Sequence, residues 1–183
     1  MKTIQKNDGF TLIELLIVVA IIGIIAAVAV PGLLRSRQSG NEASAIGSLR
    51  AIASAEASYA ASCGGGGYAT TLAALALAPS GGVAFISPDL ATANVAPGKS
   101  GYLVNVAVGV GGVNVLAAAS TCNNAATPSQ THYHATAVPI VVGTTGQRSF
   151  ATNQASAIFQ NRTGAIIASA NPLVAAGNIS MLQ

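Results

Sequence analysis

Charge is what this chain has least of. Only 7% of its 183 residues are Asp, Glu, Lys or Arg, against roughly 25% in ordinary soluble domains. Beyond Glu56 the ionised side chains are Asp89, Lys99, Arg148 and Arg162. One carboxylate past that point excludes a paired-carboxylate acid/base site there. It also leaves little for calcium, which favours several oxygen ligands with carboxylates among them. The net charge of +3 and pI near 9.1 reflect few charges, not a basic surface. Lys2, Lys6, Arg35, Arg37 and Arg50 lie in the first 50 residues but form no basic patch with aromatics among it, so no nucleic-acid site is evident. Tryptophan is missing and aromatics make up 4%. Phe10 and Tyr59 alone do not make a stacked path for electrons. His132 and His134, two residues apart, lack a third ligand, so no metal is expected. No serine sits in a G-x-S-x-G context, and Gly64–Gly67 lacks the Gly-Lys-Ser/Thr of a phosphate loop. Neither an enzyme nor a cofactor is indicated.

What is abundant is apolar surface. From Phe10 to Val30 the only polar residues are Thr11 and Glu14. As a helix this run is about 30 Å long, roughly one bilayer core. A buried core helix would keep a polar stripe, and this run has almost none. Lys2 and Lys6 precede it, which places the N-terminus in the cytoplasm and everything after Arg37 outside. "AAVAVPGLL" mimics a signal-peptidase site near Ala29. A better cut lies at "DGF": the leader, residues 1–9, is short, polar and basic, with no apolar region of its own. Cutting after Gly9 leaves the apolar helix as the first part of the mature chain.

The stretch "GFTLIELLIVVAIIGIIAAVAVPG", with Gly9, Phe10, Glu14, Gly23 and Pro31, closely resembles the N-terminal signature of type IV pilins and of the related pseudopilins of type II secretion. The resemblance covers about 24 residues. It implies that a prepilin peptidase cuts between Gly9 and Phe10 at the cytoplasmic membrane face and methylates the new amine on Phe10. It further implies an inner-membrane assembly platform and a helical filament of identical or related pilin subunits, with a bundle of these helices at its core.

Glu14 is then explicable. A charge at the centre of a membrane helix costs about 2.5–3.5 kcal/mol on insertion scales, with less near an end. Glu14 lies one turn from the new N-terminus and complements the helix dipole. The cut creates an α-amine, unperturbed pKa about 7.7–8.0. In an assembling bundle the amine of an incoming subunit can pair with Glu14 of one already in place, and only in the correct register. The alternative is a self-contained pair within one chain.

The fold class expected is α+β: a long N-terminal helix, membrane-spanning in its first half, packed on an antiparallel β-sheet head. The divisions are a cleaved leader at 1–9, a helix at 10–62 (apolar at 10–30, amphipathic at 31–62) and a head at 63–183. Pro31 removes a backbone donor, typically costing about 3 kcal/mol inside a helix, and Gly23 adds roughly 1. The intervening segment is the weakest part of the helix; a simple kink at Pro31 is the alternative. Ile46, Leu49, Ala53, Ala57 and Ala60 mark a packing stripe, with Arg35, Arg37, Glu42 and Arg50 on polar positions. Cys63 and Gly64–Gly67 end the helix. "GYLVNVAVGV" (101–110), "HYHATAVPIVV" (132–142), "RSFAT" (148–152) and "AIFQNR" (157–162) read as strands, and "VNVLAAAS" (113–120) as a further candidate.

Cys63 and Cys122 are the only cysteines. Outside the membrane an even number suggests a bridge, with two buried thiols as the alternative. Many pilins bridge cysteines nearer the C-terminus, so this pair departs from their pattern. "NRT" and "NIS" fit the glycosylation pattern weakly. Three functions are carried forward: a pilus subunit, a secretion pseudopilin, and, remotely, a single-pass membrane-anchored binding protein. The first two end in a surface filament or a periplasmic pseudopilus, the head outside in both.

Overall fold

The computed structural model describes residues 9–182. Residues 1–8, with Lys2 and Lys6 of the expected leader, lie outside the described residues. The chain divides into two compact units, one ending at Arg37 and the other beginning at Gln38. Helix α1, Leu12–Ser62, contributes to both and stays helical through Pro31.

In the first unit every large apolar side chain from Leu12 to Leu34 is exposed. This is the expected long apolar helix, with a mean hydropathy of 3.0 in its most apolar window and none of that window buried. A Cβ added at Gly23 would meet nothing.

In the second unit the C-terminal part of α1 packs on a five-stranded antiparallel sheet. Its strands are β1 (Tyr102–Val108), β4 (Tyr133–Pro139), β5 (Ser149–Asn153), β6 (Phe159–Asn161) and β7 (Ile179–Met181), adjacent in that order. β2 (Asn114–Leu116) and β3 (Ser129–Gln130) form a separate pair. Two short helices, α2 (Leu72–Ala76) and α3 (Pro88–Ala91), fill the connection between α1 and the sheet. The alternation of β1 sends Tyr102, Val104 and Val106 inward while Asn105 faces solvent. Register pairs Val104 with Ala137 and Ala137 with Phe150, so one face presents a continuous apolar row. Leu49, Ile52 and Tyr59 of α1 close on it, with Leu75 and Leu90 from the short helices. β5 is buried on both faces, because Ile167 and Leu173 cover Ala151 from the other side.

The packing stripe on α1 differs in phase from the expected one. Its buried positions are Glu42, Ala45, Ser48, Leu49, Ile52, Ala55, Glu56 and Tyr59. Of the expected stripe Leu49 is buried, Ile46, Ala53 and Ala60 are partly covered, and Ala57 is exposed. Glu42, expected on a polar solvent position, is inside. The reason is that two glutamates belong to the buried face, each with its own partners.

Glu42 accepts from the backbone N–H groups of Gln147 (2.9 Å) and Arg148 (3.1 Å) through Oε1. Its Oε2 accepts from Arg148 Nε (2.9 Å) and Nη2 (2.6 Å). Burial opposes its ionisation, but these donors prevail and hold the carboxyl below its ordinary value. Glu56 is fully buried and has one partner, the Ala69 N–H at 2.8 Å on Oε2. Its Oε1 has no partner among the described residues, nor has the Tyr133 hydroxyl. Desolvation pushes Glu56 up to about 8, so at neutral pH it is mostly a neutral acid.

The helix ends as its glycines require. The N–H groups of Cys63 and Gly64 both reach the Tyr59 carbonyl, and Gly66 N–H reaches that of Ala60. Gly65 sits at φ +62, where L side chains are strained. Cys63 and Cys122 form a disulfide with Cα atoms 4.7 Å apart, fastening this end of the helix to the segment before β3.

Candidate assembly site

The first helical turn assembles the features singled out from the sequence. Gly9, Phe10 and Thr11 precede α1 without helical structure, and all three are exposed, Phe10 at 87%. The Gly9–Phe10 peptide bond therefore lies in accessible chain without regular structure, just before a regular helix.

Thr11 and Glu14 engage each other. The Thr11 backbone N–H and hydroxyl both donate to Glu14 Oε2, at 2.9 and 2.6 Å. The Glu14 N–H returns a contact to the Thr11 hydroxyl at 3.3 Å. This is a capping box, in which a threonine before the helix and a glutamate three residues later satisfy each other's free backbone donors. Its sequence mark, "TLIE", was legible, and Thr11 belongs beside Glu14 in any account of this turn. Glu14 Oε1 has no hydrogen bond among the described residues, so a second donor can approach without displacing the cap. Around it Leu12, Leu15, Leu16 and Val19 form an open apolar surface.

The second unit offers little chemistry. Among the described residues no group of three His, Cys, Asp or Glu is placed to hold a metal. His134 lies in β4, buried, with Nε2 3.0 Å from the Ile167 carbonyl, and burial lowers its pKa. His132 precedes the strand and contacts the Thr131 hydroxyl. Asn161 of the "NRT" pattern is buried and spends its amide on the Ala165 carbonyl, which closes that position to a glycan. Asn178 of "NIS" is exposed. The groove on the outer sheet face is lined by uncharged residues, among them Leu103, Asn105, Thr136 and Val138.

Comparison with known proteins points to the same N-terminal turn. Residues 4–30 match the family model for the prokaryotic N-terminal methylation motif. The type IV major pilin protein PilA of Myxococcus xanthus is 46% identical over 54 residues, 30% of this chain and 24% of that protein. The type II secretion system core protein G of Vibrio cholerae is 38% identical over 55 residues, 30% of this chain and 38% of that protein. The type IV major fimbrial protein FimA of Dichelobacter nodosus is 74% identical over 31 residues, 17% of this chain and 19% of that protein. The matched stretches thus span less than half the length of these relatives. No solved structure matches. The chain carries, ahead of an α+β head, the N-terminal methylation motif of the type IV pilins and type II secretion pseudopilins.

Proposed function

We propose that this protein is a structural subunit of a type IV pilus-like filament, assembled through its N-terminal helix. The observation that carries the reading is the unburied apolar surface of α1 from Leu12 to Leu34, with a carboxylate at its start. Such a surface needs lipid before assembly and other helices after it. A prepilin peptidase removes residues 1–9 and methylates the amine of Phe10; the accessible bond after Gly9 supports this. Before assembly the chain crosses the inner membrane once, N-terminus in the cytoplasm, and an inner-membrane platform receives it. Residues 10–30 form the filament core, 31–62 the amphipathic half of the helix and 63–183 the head. Glu14 keeps its cap on Thr11 through Oε2 and offers Oε1 to the amine of the incoming subunit. Pro31 and Gly23 weaken the helix between them, which lets subunits extend under load. The disulfide at Cys63 and Cys122 holds the head closed in an oxidising space.

Similarity to core protein G of V. cholerae supports a second reading, a pseudopilin in a periplasmic pseudopilus. Both readings share the processing and the helix bundle. The higher identity to the M. xanthus major pilin, 46% over 54 residues against 38% over 55 for core protein G, favours the pilus.

The test is Glu14→Ala. Removing the charge leaves membrane insertion unchanged or slightly improved, while filaments become sparse or disappear. Filament yield by electron microscopy, set against membrane abundance by immunoblot, reads this out. Normal filaments built from the variant alone contradict the docking role.

A further inference from the structure

We propose that the Cys63–Cys122 bridge exchanges with small outside thiols, of the glutathione class, through Cys122 alone. Cys63 is then the buried thiol that reseals the bridge. This needs only the folded second unit and is independent of the filament reading.

The two halves of the bridge differ in exposure. Cys63 is 5% exposed and belongs to the core with Tyr59, whereas Cys122 is exposed. The residues beside Cys122 build this difference. Thr121 and Asn123, on either side of it, are both buried. The Thr121 hydroxyl donates to the Ala118 carbonyl at 2.7 Å and accepts from the Ala125 N–H at 2.9 Å. The Asn123 amide donates to the carbonyls of Ala74 and Leu77 at 2.8 and 3.0 Å, which pins it to the end of α2. Cys122 is turned out between these two anchors. The nearest exposed side chains along the chain, Ser120 and Asn124, are short and uncharged.

In thiol–disulfide exchange a thiolate attacks one of the two sulfurs, and access helps decide which. At Cys122 a bond forms between its Sγ and the incoming sulfur while the Cys63–Cys122 bond breaks. The electron pair leaves on Cys63 Sγ, which takes a proton. That thiol has an acceptor already in place, Asn123 Oδ1, 3.5 Å away. The return step is intramolecular. Cys63 Sγ loses its proton, attacks Cys122 Sγ and expels the added thiol, so the cycle consumes no oxidant. Contacts that do not pass through the sulfurs keep the pair within reach. The Cys122 N–H meets the Cys63 carbonyl at 3.4 Å, the Cα atoms are 4.7 Å apart, and Asn123 holds the segment to α2.

The test uses the full chain in detergent, with glutathione as the probe, acid quenching and peptide mass spectrometry. In the wild-type protein treated with reduced glutathione, the trapped adduct should sit on Cys122 over Cys63 by about ten to one or more. Cys63→Ser treated with oxidised glutathione should accumulate a lasting adduct on Cys122, because the resealing thiol is gone. Cys122→Ser should gain an adduct on Cys63 roughly a hundredfold more slowly, and at the ordinary rate once unfolded in guanidinium. The wild-type arm starts with the bridge intact, so it does not depend on how either variant folds. Adducts shared equally between the two cysteines, or found mainly on Cys63, overturn the one-sided exchange. A wild-type adduct that persists as long as the one in Cys63→Ser overturns the resealing. A wild-type protein that forms no adduct at either cysteine overturns both.

Discussion

Glu42 on α1 and Arg148 just before β5 are joined by three hydrogen bonds, two from the guanidinium and one from the backbone N–H. A fourth donor, Gln147 N–H, completes the set. The guanidinium continues to Gln160 (2.7 Å), whose amide reaches Ser180, so one carboxylate organises β5, β6 and β7. Arg148 also lies over the Phe150 ring, 5.6 Å from its centre.

Replacing Glu42 by Ala strands two backbone donors beside the helix. The expected loss is about 2–3 kcal/mol, somewhat below that for a fully buried network because Arg148 can rehydrate. Arg148→Ala should cost less, since Glu42 keeps both backbone donors. Urea unfolding of residues 38–183 measures both; equal or negligible losses would contradict the asymmetry.

Glu56 sets an opposite pH dependence. Its folded pKa, about 8, lies above the ordinary 4.5. The proton is bound more tightly in the folded state, so this contribution is fully present below pH 4.5 and lost as pH rises to about 8. The slope between them approaches about 1.4 kcal/mol per pH unit. Glu42 is shifted down, so its contribution is present above the ordinary value and lost as pH falls through its folded pKa. Head stability should peak near pH 5. Glu56→Gln should remove the alkaline decline and leave the acid one. A wild-type head equally stable at pH 5 and pH 8 would contradict the buried neutral acid.

The disulfide closes a long loop, its cysteines 59 residues apart. Replacing both by Ser should lower head stability by about 2–4 kcal/mol. Thermal unfolding with and without reductant checks this: reductant should lower the wild-type melting temperature and leave the double variant unmoved.

Gly9→Val should block processing, because the peptidase must accept a small residue beside the membrane surface. The protein then stays in the membrane at full length. A mature chain beginning at Phe10 in that variant, by N-terminal sequencing, would contradict the assignment.

Much of this was legible in the residues. The apolar run of α1, its end at the glycines and strands β1, β4, β5 and β6 follow from hydropathy, valine content and turn residues. The stripe on α1 was misplaced because Glu42 and Glu56 look like solvent positions. Their burial depends on donors from residues 69 and 147–148, far along the chain. β3 and β7 have two and three residues, too few for an alternation to show. α2 and α3 are single turns held by the core through Leu75 and Leu90, not by helical periodicity. In the first turn of α1 Glu14 stands out as a charge in an apolar run. The capping role of Thr11 is harder to see, because an uncharged hydroxyl marks no position by itself, although "TLIE" states the cap in four letters.

The most direct measurement of the central claim is mass spectrometry of the N-terminal peptide from filaments sheared off cells expressing the full chain. The account predicts a peptide that starts at Phe10 and carries one methyl group on its α-amine. Filament protein that retains residues 1–9, or that begins beyond Ala29 without the apolar helix, would contradict it.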